Sequence, residues 1–313
     1  MSKALILAEI SRILSSSRLF LTHQGQQEFL AELFLIEKQG WFFDDLPTYS
    51  EETSKLVKKI AEENNIPLTV DYTDADLTTE AIAYYRIKGM IMGESNWWFS
   101  TKQFNEDLKA AEENPMIMSH FLHVNSGGGD TWYLDVAWKT MMTLQKPTIA
   151  LIERYGASAA LYLFCPCKNI YAATQNEILG SIGTMVSFLD FLPYYESMGV
   201  KKIEEYATKS DLKNKKFNDL LNGKPEQFIK EELNPLTQQF EAAVRQARSK
   251  AGALEEKHPL FRGETYATQA ASDLGLIDGQ KLLSEALAEA LSRGRQYIQK
   301  NRRAISYLNT NFN

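Results

Sequence analysis

One hydroxyl in this chain is spaced for chemistry. Within KPTIALIERYGASAALYLFCPCK (146–168), Thr148–Ile152 reads as a short buried strand and Tyr155-Gly156 as a tight turn. Ala157–Phe164 follows as an apolar helix start, and Ser158 stands where strand hands over to helix. A helix N-terminus offers unpaired N–H groups and the positive end of a dipole, so a hydroxyl there is well placed to attack a carbonyl. The same position suits an N-cap, and Ser158 taken alone reads either way. A glycine corner, Asn125-Ser126-Gly127-Gly128-Gly129, ends an earlier predicted strand, 115–125. Glycines there let the backbone turn and approach a ligand with its N–H groups outward. That suits a tight turn, a phosphate cradle or an oxyanion hole. A phosphate cradle is disfavoured by the lack of G-x-G-x-x-G and of a P-loop lysine.

A serine nucleophile needs a base. The four histidines, His23, His120, His123 and His258, sit in the leader, in or near the strand before the glycine corner, and in a Lys-His-Pro loop. None is in an obvious catalytic loop. A lysine serves if burial lowers its pKa enough to leave it partly neutral near pH 7. Lys209, Lys213, Lys215 and Lys216 follow a predicted strand at 202–207, and each fits both a base and a solvated charge.

The elements that must position these groups form two regions. Residues 3–14 and 26–38 have helical apolar spacing and 51–65 reads as a charged helix, and together they make a helical leader. From Glu80 predicted strands (81–92, 115–125, 148–152, 169–172, 182–188, 202–207) alternate with helices (100–114, 130–144, 189–198, 225–250), which predicts an α/β domain with a largely parallel sheet. The 225–250 helix is expected to bend at Pro235. The tail reads helix, turn, helix, and its last helix carries Arg293, Arg295, Lys300, Arg302 and Arg303, a solvated basic face. With 44% apolar and 24% charged residues, the chain can bury a sizeable core, and a net charge of −6 argues against a general nucleic-acid binder. Cys165 and Cys167 are too close to staple the fold and too few to ligate a metal; they read as reduced thiols of a cytoplasmic protein that needs no cofactor. No run is long and apolar enough for a secretory signal or a spanning helix.

Five motifs in order resemble the signal peptide peptidase A family of serine–lysine peptidases. They are Asn125–Gly129 for the family's Asn-Ser-Pro-Gly-Gly, Lys146–Ala150 for its Lys-Pro and strand, and Gly156–Ala160 for its nucleophile segment. Gly180–Gly183 stands for its Gly-Ser-Ile-Gly, and the segment 262–278, ending Gly275-Leu276-Ile277-Asp278, for its final Gly-Leu-Val-Asp. The resemblance implies a Clp protease/crotonase-like spiral of mostly parallel strands with flanking helices at 79–290, a leader at 1–78 for oligomerisation or as a pro-region, and a basic tail at 291–313. It implies Ser158 as nucleophile and Lys213 as base, with Lys209 the fallback because the register is soft there. It also implies the backbone N–H groups of Gly128 and Ala159 as oxyanion donors, an extended peptide or protein substrate, and a ring-like homo-oligomer. Gly127 replaces the family's proline, and Ser158-Ala159-Ala160 is closer to the phage head-maturation branch than to membrane-bound members. Two alternatives keep the same fold: a non-catalytic assembly or scaffold partner, and a crotonase-like acyl-thioester enzyme.

Overall fold

In the computed structural model, which describes residues 19–21, 48–73, 77–187 and 192–311, three long apolar runs form the centre of the molecule. They are β3 (Ala81–Met92), β5 (Ile117–Asp130) and β6 (Thr148–Ala157), nearly all of whose residues are buried. Runs without polar alternation suit parallel strands covered on both faces. Seven further strands join them: β1 (Leu19–Leu21), β2 (Leu68–Thr69), β4 (Phe99–Ser100), β7 (Asn169–Ala172), β8 (Ile178–Gly180), β9 (Thr265–Ala267) and β10 (Gly279–Gln280). The main path runs β10-β7-β6-β5-β3-β2. Every pairing is parallel except β1 with β5 and β8 with β9. The expected α/β class with a mostly parallel sheet and flanking helices is what the chain forms.

Helices cover both faces. Helix α1 (Tyr49–Asn64) starts at a capping box, in which Thr48 Oγ1 accepts from Glu51 N–H while the Glu51 carboxylate accepts from Thr48 N–H. Its Val57 and Ile60 pack on Ile82 and Tyr84 with Ala286, Leu287 and Ala290 of the last helix, α9 (Leu283–Asn311). The opposite face carries α2 (Thr101–Glu113), α3 (Leu134–Thr143), α4 (Ala159–Phe164) and α7 (Asn234–Ala247), which bury Leu108, Trp138, Leu161 and Phe240. Shorter helices include α5 (Leu192–Ser197), α6 (Lys215–Leu221) and α8 (Thr268–Asp273).

Several local expectations shift. The stretch 202–207 is irregular and exposed rather than a strand. Its Lys-Ile-Glu-Glu-Tyr-Ala pattern offers two large apolar residues and no face that sheet burial would reward. The strand expected at 182–188 falls earlier, at β8. The long helix from 225 is broken by a π-helical stretch, Ile229–Leu233, which ends just before Pro235, so the bend has an identifiable cause. Leader helices at 3–14 and 26–38 lie outside the described residues. The described leader segments β1 and β2 pair with β5 and β3, and α9 passes residue 291 without a break. No helix among the described residues is long and apolar enough to cross a membrane.

A polar network threads the core beside α2. Tyr85 Oη shares a 2.9 Å hydrogen bond with His120 Nδ1, and His120 Nε2 lies 2.9 Å from Glu112 Oε2. Burial holds the His120 imidazole below its usual pKa. Lys146, also buried, donates from Nζ to the carbonyls of Ala111 and Asn114 at 2.7 Å each, closing the C-terminus of α2. Desolvation brings its pKa down to about 8. The unfolded chain keeps this proton up to about pH 10.4, so between those values the unfolded state binds more protons and stability rises with pH. Lys146→Met is therefore expected to flatten the rise in urea-unfolding free energy between pH 8 and roughly 10.4. An unchanged slope would show that Lys146 does not carry it.

Candidate active site

Ser158 sits on a strained elbow. Its φ and ψ are +57° and −124°, outside the regions open to most L-residues, at a cost of about 1–3 kcal/mol. The side chain makes no capping bond, so the N-cap position is occupied without N-cap chemistry. Ser158 Oγ is buried and has no hydrogen-bond partner among the described residues. It stands at the start of α4, whose first N–H groups, beginning with Ala159, have no carbonyl one turn back to bond. A hydroxyl carried on a strained strand-to-helix turn is also the backbone arrangement of a nucleophile elbow.

Three features build the elbow. The first is a bulge in β6. Val124 pairs with Ile152 and Ser126 with Gly156, so β5 advances two residues while β6 advances four. Arg154, at φ +75°, lies in this bulge. Across it, β6 leaves β7 after Ile152 and takes β8 from Tyr155. The second is an ion pair on the first bulged residue: Glu153 Oε2 lies 2.9 Å from His123 Nε2, and His123 Nδ1 bonds the Tyr84 hydroxyl. The His123 bond holds the Glu153 carboxyl below its ordinary pKa. The third is β8, where the Gly180 carbonyl accepts the Ser158 N–H at 2.9 Å. Gly180 has φ +112°, and a Cβ there would meet the Glu264 carbonyl at 2.6 Å, so this position needs glycine.

The glycine corner lies inside β5 rather than beyond it. Gly128 and Gly129 pair with Met90 and Ile91 of β3. A Cβ on Gly129 would sit 2.0 Å from the Ile91 carbonyl oxygen, so the third glycine is explained by strand packing. Ser126 locks the corner: its Oγ donates to the Gly89 carbonyl at 2.6 Å and accepts the Gly128 N–H at 3.1 Å. The Gly128 N–H is thus engaged within its own loop. Asp130, also buried, accepts N–H groups of Gly93, Thr131 and Trp132, and burial raises its carboxyl to about 6. Beyond it, Trp132, Tyr133 and Tyr162 help line a cleft of about 240 Å³ that begins one turn of α4 after Ser158.

No lysine donates to Ser158 Oγ among the described residues. Lys213 and Lys209 lie exposed in the irregular segment before α6, and neither Nζ has a partner among the described residues. Lys215 is ion-paired to Asp219 and Lys216 to Glu231 and Glu232. Among the described residues, hydrogen bonding ties Ser158 to the β8 carbonyl and does not tie its hydroxyl to a lysine. Among the described residues, no group of three His, Cys, Asp or Glu side chains could hold a metal. Sequence reasoning missed Asp130 and the Tyr84–His123–Glu153 chain. Asp130 follows the third glycine directly and was legible as a loop carboxylate, whereas the histidine pair depends on register that no local pattern encodes.

The site thus holds a buried, unpartnered serine on a strained strand-to-helix elbow at the start of α4. Residues 141–295 match the model for Peptidase family S49, which supports the resemblance to the signal peptide peptidase A family. The chain is 23% identical over 206 residues to a chloroplastic serine protease SPPA of Arabidopsis thaliana, covering 64% of this chain and 29% of that protein. It is 27% identical over 183 residues to a putative signal peptide peptidase SppA of Enterococcus faecium, covering 55% of this chain and 50% of that protein. The chain thus spans half or less of the length of these relatives. Among solved structures, a ClpP1 variant from Listeria monocytogenes is similar at 12% identity and a TM-score of 0.41, over 65% of this chain and 94% of that one.

Removing the lock should isolate its contribution. Ser126→Ala leaves the buried Gly128 N–H and Gly89 carbonyl unpaired, and a loss of about 1–3 kcal/mol in urea-unfolding free energy is expected. A change under about 0.5 kcal/mol, the size typical of a neutral surface substitution, would show that the corner holds without the hydroxyl.

Proposed function

We propose that this chain is a serine endopeptidase that cleaves extended peptide segments through Ser158. The observation that carries the reading is the unpartnered, buried Ser158 Oγ on its strained elbow. A neutral lysine takes the Ser158 proton as Oγ bonds to the scissile carbonyl carbon. The oxyanion accepts the Ala159 N–H and that of Gly128, the latter after it leaves Ser126 Oγ. The lysinium returns its proton to the departing amine, leaving an acyl-enzyme. Water then attacks the ester, its proton passing to lysine, and Ser158 is restored.

Lys213 is our assigned base and Lys209 the fallback. Exposed as it is, Lys213 can act only when its segment is covered. That segment also exposes Val200 (52%), Ile203 (86%) and Leu212 (73%), apolar surface that a neighbouring copy would bury. We therefore read the working form as a cytoplasmic homo-oligomer, ring-like in the manner the resemblance implies. Within the family we favour the phage head-maturation type, on the Ser158-Ala159-Ala160 sequence. The exposure of both lysines favours a second reading, a non-catalytic assembly protein on the same fold.

A fluorophosphonate probe read by intact mass separates the two. Ser158 should be labelled in the assembled protein, Ser158→Ala should not, and Lys213→Ala should slow labelling by about 10²-fold or more while Lys209→Ala does not. Equal labelling of wild type and Ser158→Ala would remove the nucleophile, and a Lys213→Ala protein as fast as wild type would remove that base.

A further inference from the structure

A strand has two hydrogen-bonding edges, and at the glycine corner both are taken. One edge of β5 carries β3, through Met90 opposite Gly128 and Ile91 opposite Gly129. The other carries β6 as far as Ser126 opposite Gly156. Past that pair the same edge carries β1, antiparallel, with Leu21 opposite Gly128, Phe20 opposite Gly129 and Leu19 opposite Asp130. Had β6 run straight on, the residue opposite Gly128 would be Ser158, two beyond Gly156. The elbow turns Ser158 out of the ladder, and the Leu21 backbone stands in the place it left. β1 therefore lies beside the elbow, about two strand residues or ~7 Å along the edge from Gly156.

An extended peptide attacked by Ser158 must pair its own backbone with an edge that reaches the elbow and the Gly128 N–H, as strand-addition ligands do. The β5 edge at Gly128–Asp130 meets that need. β1 is three residues long and, among the described residues, pairs with β5 alone, and so short a strand is easily displaced. It lies on that edge as a short antiparallel strand, tethered to the chain that binds it.

We propose that Leu19-Phe20-Leu21 is the resident occupant of the peptide slot, and that an incoming peptide binds by displacing it. The proposal rests on the Ser158 reading for its functional meaning, although the slot itself can be tested without a reactive serine. A segment filling the slot most of the time lowers the apparent affinity of a free peptide by the fraction of chains left open. Because the occupant is tethered, it competes at a high effective concentration without any change in its contacts.

Proline cannot donate to a ladder, and successive strand N–H groups alternate in direction, so Phe20→Pro or Leu21→Pro should empty the slot. The probe is a fluorescein-labelled pentapeptide of residues 18–22. Its affinity for full-length Phe20→Pro should exceed that for wild type by about tenfold or more. Amide exchange over 127–131 should quicken in the same variant. Leu21→Pro supplies a second test should Phe20→Pro unfold. Both gains should persist with Ser158→Ala. Equal peptide affinities, or unchanged exchange at 127–131, would overturn the proposal. Gains in both without fluorophosphonate labelling of Ser158 would keep the slot and retire the nucleophile, so the two readings fail separately.

Discussion

The bond from the Ser158 N–H to the Gly180 carbonyl is the joint on which the site hangs. It is the last rung of the β6–β8 ladder and the first constraint on α4. For it to form, β6 must change partner between Ile152 and Tyr155, and the two extra residues of the bulge make that change. An elbow at φ +57° is unfavourable by itself, so it persists because neighbours over-determine it. Gly156 gives that packing its tightness: a Cβ there would meet Ile152 and Phe164 side chains at 2.8–3.0 Å. The His123–Glu153 contact ties the first bulged residue back to β5.

The same sheet carries two Tyr–His–Glu chains, one on each face. Tyr84–His123–Glu153 reaches partly exposed surface, while Tyr85–His120–Glu112 closes in the core beside Lys146. Consecutive tyrosines on β3 point to opposite sides, and His120 and His123 on β5 do likewise, as strand alternation requires. Each histidine is thus satisfied on both ring nitrogens, which explains why neither is free to serve Ser158.

What was legible in the chain followed local pattern. Apolar-rich runs foreshadowed β3, β5 and β6, the charged run from Glu51 foreshadowed most of α1, and the change from strand to helix gave the position of Ser158. Non-local pairing was not legible. The glycine corner reads as a turn after a strand, yet close approach to β3 makes it part of one, because missing side chains serve a neighbouring strand as well as a turn. The 202–207 stretch had strand formers but no partner edge, and propensity without a partner gives no strand. Lys213 was placed by motif order alone, and motif order carries no information about burial.

That last gap sets a physical condition on the proposed chemistry. A lysine at its ordinary pKa of about 10.4 is neutral in less than one molecule in a thousand at pH 7, equivalent to ~4–5 kcal/mol against acting as a base. Burial is what lowers that cost, as Lys146 illustrates in this chain. Lys213 lacks such surroundings, and the apolar side chains flanking it are also uncovered. One event, covering the 198–214 segment, would bury the apolar surface and desolvate the lysine together. On this reading the base is inert in an uncovered chain and gains strength only as the segment is packed. The occupied slot at Gly128–Asp130 works in the same direction, since peptide and leader strand compete for one edge. An isolated chain is then held off twice, by a base in water and by a strand in the slot.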